Sequence, residues 1–455
     1  MDFMEILENN LQNIKTYDDS EKYGLTVKPF SSNPIWTFND YLMFILSNKG
    51  KSLTLEIENF VENYFNDDEN KLMTKQNLSK QRQKFNHEVF IDMNRNFIKD
   101  FYKSEEYEGL FKGKIVLPID GSKSEIPNTP ESKKWANIKD DSLTNKKAAR
   151  TLFSTIIDAK YGIVLDSILA KSDSSERELA KQHIKNIKKL VNYNDIILIF
   201  DAGYYSLELK LFLEKRGIKY IFRLASHVYK DEIAQMTGID EILNINNTSS
   251  RRQNIEDENL LKYAKTLPYI KTRVIKLPII NSDNETEDLI LLTNLSNKEA
   301  NTYEIAGLYK DRWEIEINYD RLKNKMELEN YSGKLENTIK QDFYSSIYIF
   351  NLAMILRNNI QKHLKRKNKK KREEEEKEYR TNINTLIGRI KNKLLTLFTS
   401  TKEKNQKILE RIIKRGTKDT YLYDFNRPKI QWHKKIFIGK YRYNQRRNIW
   451  PNQKM

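Results

Sequence analysis

At 455 residues the chain is long enough for two to four domains around a substantial core, which excludes a single small binding module. Lysine and arginine outnumber aspartate and glutamate by 80 to 63, a net charge of +17 that suits a polyanion, nucleic acid first, although basic surfaces also serve solubility. Cysteine is absent, which excludes disulfides, thiolate zinc sites and a cysteine nucleophile, and the five histidines (His87, His183, His227, His363, His433) form no i, i+4 pair, so each reads as an ordinary surface or core residue.

The opening MDFMEILENNLQN is acidic and lacks the basic start and apolar core of a signal peptide, and no run of about 18 apolar residues follows anywhere. The expectation is an intracellular, cytoplasmic protein with no membrane partner. The first hundred residues carry helical periodicity, as in Tyr41 to Leu46 and in Ile57, Phe60, Val61 and Tyr64. In MTKQNLSKQRQKFNHEVF, Thr74 and Ser79 are placed to cap short helices, and Lys80, Arg82 and Lys84 cluster beside Phe85, Val89 and Phe90. This pattern fits a DNA-binding helix-turn-helix and equally a plain basic amphipathic helix.

From Lys114 the texture turns to short apolar runs that predict strands at 115–119, 152–157, 163–169 and 196–200. Helices are expected at 176–191 and 207–216, and a further strand at 220–224. Three strands, helix, strand, helix, strand is a mixed α/β sheet. Residues from about 225 to 294 then lose the alternation and read as a β-rich insertion, with β-like segments at 273–280 and 289–295. Helical character returns over 299–330 and again from about 339 to 365. The run KHLKRKNKKKREEEEKEYR reads as a solvated helix or a disordered loop rather than a site. The tail 427–447 sets Trp432, Phe437, Tyr441 and Tyr443 among lysines and arginines, which suits nucleic-acid stacking and equally a packed terminal segment. The resulting division is a helical DNA-binding domain at 1–105, a catalytic core at 106–225 and 296–365, the insertion at 226–295, and a helical and basic C-terminal region at 366–455.

Two apolar runs end in an aspartate followed by small residues, Ile115 to Ile119 before Asp120-Gly121-Ser122, and Ile196 to Phe200 before Asp201-Ala202-Gly203. A carboxylate at the end of a buried strand costs desolvation that a bound cation offsets, although an isolated Asp-Gly is more often a turn or cap. In the segment 309–323, Tyr309, Arg312, Glu316 and Lys323 fall within an arc of about 60° at about 100° per residue. That face combines a phenol, a planar cation, a carboxylate and an ammonium. Asp320 shares it, so periodicity does not choose between the two acids.

The spacing Tyr309-x2-Arg312-x3-Glu316-x6-Lys323 behind two strand-end aspartates resembles the bacterial insertion-sequence transposases with an Asp-Asp-Glu triad and a Tyr-Arg-Glu-Lys signature. Asp201-Ala202-Gly203-Tyr204-Tyr205-Ser206, Tyr220 to Leu224, Leu291 to Leu295, and Tyr379 to Asn382 through Leu397 extend the likeness over most of the chain. The resemblance implies an α/β ribonuclease H-like mixed-sheet core with a β-rich insertion, and it selects Glu316 over Asp320. It implies two Mg²⁺ or Mn²⁺ ions on Asp120, Asp201 and Glu316, phosphate contacts from Tyr309, Arg312 and Lys323, and a nucleoid-associated homodimer. The DNA partners it implies are the double-stranded terminal inverted repeats and the target. Some relatives carry a base-stacking tryptophan at the start of the late insertion strand, where this chain has Leu289. Two alternatives remain, a regulatory DNA-binding relative that does not cut and a metal-dependent nuclease that never joins.

Overall fold

A computed structural model describes residues 1–26, 34–139, 148–280 and 286–424. The basic and aromatic tail at 427–447 lies outside the described residues. Eight strands build one sheet: β1 (Ile115–Ile126), β2 (Ala149–Ile157), β3 (Val164–Ala170), β4 (Ile196–Phe200), β5 (Lys219–Arg223), β6 (Asp240–Asn246), β7 (Tyr269–Ile280) and β8 (Thr286–Thr293). Their order is β3-β2-β1-β4-β5-β8-β7-β6. The first three pair antiparallel, and β4 and β5 run parallel to β1. This five-stranded part is a ribonuclease H-like core, as the fold reading anticipates.

The strands β6 to β8 lengthen that same sheet, because β8 pairs antiparallel with β5 at Ile221↔Thr293. Sequence reading anticipates parts of β7 and β8 but misses β6 and the helix Glu258–Thr266. β6 is an edge strand in which Asp240, Glu241, Asn244 and Asn246 interrupt Ile242, Leu243 and Ile245, so it carries no continuous apolar run.

Alternation along the central strands sorts their side chains into two cores. Ile115, Leu117 and Ile119 of β1, with Ile196, Leu198 and Phe200 of β4, join the large cluster that includes the N-terminal and C-terminal helices. Val116, Ile197 and Ile199 join a smaller cluster with Ile305, Leu308 and Tyr309 of the helix Thr302–Lys310. Both faces of β4 are therefore covered, which is why its sequence IILIF is apolar throughout.

The helix Glu336–Glu375 runs 40 residues, about 60 Å at 1.5 Å per residue, and continues through the basic-then-acidic run. Its Asn351 accepts from the Val164 N–H at 2.8 Å and donates to the Val164 carbonyl at 2.8 Å, satisfying the first residue of β3. Near the same helix's start, Asp342 pairs with Arg82 at 2.7 Å. Arg82 also donates to Gln341 at 2.8 Å and to Ser332 at 2.6 Å, and only 2% of it is exposed. Arg82 is thus not the phosphate contact that its place in a basic cluster suggests: its guanidinium is consumed by a buried ion pair. Lys80 is exposed and Lys84 half-buried. Thr74 caps the helix Lys75–Arg82 as anticipated, whereas Ser79 lies inside that helix. No described helix is long and apolar enough to cross a membrane.

Candidate active site

The parallel ladder between β1 and β4 ends at Ile119↔Phe200. Asp120 and Asp201 are the residues one step beyond that last pair. Asp201 follows the end of β4. Asp120 does not end β1, contrary to the strand-end reading: β1 continues to Ile126 while only β2 pairs with it, from Asp120↔Thr155 to Ile126↔Ala149. Asp120 marks where the sheet loses β4, one step after Ile119.

The helical stretch expected over 299–330 is divided into Thr302–Lys310, Trp313–Asp320, and a π turn at Arg321–Lys325. The Tyr309 hydroxyl donates to Asp201 Oδ1 at 3.2 Å. Arg312 lies between two acids, with Nη2 2.9 Å from Glu316 Oε1 and Nη1 4.0 Å from Asp201 Oδ2. Lys323 donates to Ser122 Oγ at 2.7 Å and to the Lys123 carbonyl at 2.6 Å, two and three residues beyond Asp120 on β1. Tyr309 and Arg312 thus reach Asp201, Glu316 follows through Arg312, and Lys323 reaches β1 two and three residues past Asp120. Asp320 is exposed and accepts from Asn324 at 2.7 Å.

Electrostatics mark the same place. Burial pushes the Asp120 carboxyl up to about 6; the Gly121 N–H and Arg312 oppose this, and Glu176 and Asp201 reinforce it. Burial and Asp201 push the Tyr309 phenol up to about 12. Burial opposes the charge on Arg312, but Asp201, Tyr309 and Glu316 outweigh it and hold the guanidinium above its ordinary range. Burial lowers the Lys323 ammonium.

Two participants escaped sequence reading. A Cβ on Gly121 would come within 2.4 Å of Glu176 Oε1, so a glycine leaves room for a fourth carboxylate beside Asp120. His183 is fully buried, with Nδ1 2.7 Å from Asp166 Oδ2 and Nε2 3.0 Å from Ser154 Oγ. Ser154 in turn donates to the Asp120 carbonyl at 3.1 Å, and the Tyr319 hydroxyl donates to the same oxygen. No spacing links residues 120, 154, 166 and 183. They meet only because β1, β2, β3 and the helix Glu176–Ile187 pack together.

Carboxylate oxygens whose charge is incompletely offset are the donors a hard divalent cation takes, so the set fits such an ion in kind. As they stand, no three His, Asp or Glu side chains among the described residues converge closely enough to hold one, and Arg312 occupies the gap between Asp201 and Glu316.

Residues 111–352, more than half of the chain, match the family described as the transposase DDE domain. No curated protein matches the chain. Among solved structures, a piggyBac transposase synaptic complex with hairpin DNA, determined by cryo-EM, is similar with a TM-score of 0.41 and 10% identity over 90% of this chain and 82% of that one.

Proposed function

The chain belongs to the transposase DDE-domain family, and from that membership we propose that it is an insertion-sequence transposase that cuts DNA at the element ends and joins the freed ends to a target. The observation that carries this reading is the matched register of Asp120 and Asp201, with Arg312 linking Asp201 to Glu316. Asp120, Asp201 and Glu316 would hold two Mg²⁺ or Mn²⁺ ions. When bound, such ions activate the attacking oxygen and stabilise the leaving one.

The remaining roles belong to the chain itself. Tyr309 fixes Asp201 through its hydroxyl. Arg312 is poised to exchange its carboxylate partners for phosphate oxygens, which its planar fork matches. Lys323 stands by β1 to neutralise the same strand of DNA. Hydrolysis at the element end releases a 3′-hydroxyl, and that hydroxyl attacks the target phosphodiester without a covalent enzyme intermediate. Synapsis of the terminal inverted repeats would place one subunit of a homodimer on each end.

Asp120→Ala, Asp201→Ala and Glu316→Ala should each abolish cleavage of end-containing duplex with Mg²⁺ while leaving duplex binding nearly intact. Wild-type cleavage by any of them would overturn the assignment. Joined products on a target plasmid separate a transposase from a nuclease of the same fold.

A further inference from the structure

Behind the signature helix, the long helix and the strand β9 (Lys377–Thr381) border an open cavity. Seven of its thirteen lining side chains are cationic and three are acidic. Glu314 forms part of the wall. At about 100° per residue, Glu314 leaves the helix Trp313–Asp320 about 200° from Glu316, so this cavity and the candidate active site use opposite faces of one helix.

Cations outnumber acids in this lining. Lys160 and Lys362 pair outside the lining, with Glu108 at 3.0 Å and Glu106 at 2.7 Å. Arg372 and Arg380 both pair with Glu378. Glu314 faces two guanidiniums, Arg321 and Arg357. It stands 3.6 Å from Arg321, beyond hydrogen-bond reach, and Arg321 is itself largely buried. Among the described residues Arg357 has one acceptor, Asn358 Oδ1 at 3.2 Å, and no ion pair. Burial together with the charges of Arg321 and Arg380 pushes Arg357 down to about 9, a measure of how poorly its charge is compensated. A solvated basic face would spread its cations apart. Here seven cations line one cavity, and an oxyanion is the ligand that accepts from a planar fork there.

We propose that this cavity, with Arg357 at its centre and Lys365 and Lys369 at its exposed rim, is a second phosphate-binding site, separate from the phosphate that is cut. Resting on the transposase reading, its ligand is a backbone phosphate of bound DNA; the same chemistry also serves a free phosphate compound. Occupancy would neutralise the wall behind the signature helix and thereby brace the helix that carries Glu316.

The test titrates the full-length protein with inorganic pyrophosphate, and separately with a fluorescent 30-base-pair duplex, in the absence of divalent metal. Arg357→Ala should weaken pyrophosphate binding at least tenfold, Lys365→Glu should weaken it several-fold without touching the cavity floor, and Asp120→Ala should leave it unchanged. Thermal melts identify a variant that fails to fold, and the rim variant then decides. Pyrophosphate bound equally by wild type and folded variants overturns the site. A salt slope for duplex binding lowered by about one in Arg357→Ala identifies the DNA backbone as the source. An unchanged slope with weakened pyrophosphate binding keeps the site and assigns it to a free phosphate. If the wild type cuts no DNA yet shows these pyrophosphate effects, the transposase reading fails while the site stands.

Discussion

Asp120 carries a cost that its neighbours do not remove. Its carboxyl sits at about 6, above the ordinary 3.8, because it is buried and then because Glu176 and Asp201 repel its charge. A carboxyl raised on folding contributes stability below about pH 4 and loses that contribution as pH rises through about 6. Asp120→Asn should therefore stabilise the metal-free protein near pH 7, by on the order of 2 kcal/mol, and hardly at all at pH 4. Burial also raises Asp158 to about 6, but that contribution is common to both proteins and cancels in the difference. Melting curves at the two pH values check this, and a gap independent of pH would contradict it. Glu316 and Asp320 make the second comparison at this scale. Glu316 is bonded to Arg312, whereas Asp320 faces solvent and Asn324. Asp320→Ala should keep cleavage within about twofold of wild type; losses equal to those of Glu316→Ala would reverse the choice of acid.

Two irregular turns shape the element that carries the signature. At its start the Arg312 N–H bonds the Tyr309 carbonyl, three residues back, and at its end the Met326 N–H reaches five back to Arg321. The first turn is overwound and the second underwound, so a uniform 100° per residue does not describe the path from Tyr309 to Lys323. Tyr309 and Arg312 nevertheless reach Asp201, and Lys323 is delivered to β1 from within the π turn. The long helix acts as a clamp through polar contacts in an apolar interior. Arg82→Ala strands Asp342 beside the core and should cost about 3 to 5 kcal/mol in urea unfolding, with no change in the salt dependence of DNA binding. A lowered salt slope with unchanged stability would return Arg82 to the DNA surface.

Across the whole molecule, the excess of 17 positive charges should make duplex affinity fall by on the order of 10³ between 50 and 200 mM salt, as it does when six or more phosphates are neutralised. Anisotropy titrations measure this, and a shallow slope would argue against a wide DNA-binding face. How much of this architecture the residues announce depends on the range of the interaction behind each feature. β4 was legible to the residue because burial on both faces imposes an apolar run, IILIF, that needs no partner to be recognised. The extension of β1 past Asp120 was not, since Gly121 to Glu125 hold strand geometry only through pairing with β2. The π turn and the edge strand β6 escaped for the same reason. Sequence alone determined the buried strands, the order of the core elements and the spacing that marks the signature, all of which arise from local periodicity. Tertiary structure alone decided that Glu316 bonds Arg312 while Asp320 faces solvent, that Glu176 lies beside Gly121, that His183 is buried against Asp166 and Ser154, and that Arg82 is buried. The last three outcomes rest on contacts between residues far apart in the chain, and no local pattern encodes which surfaces will meet.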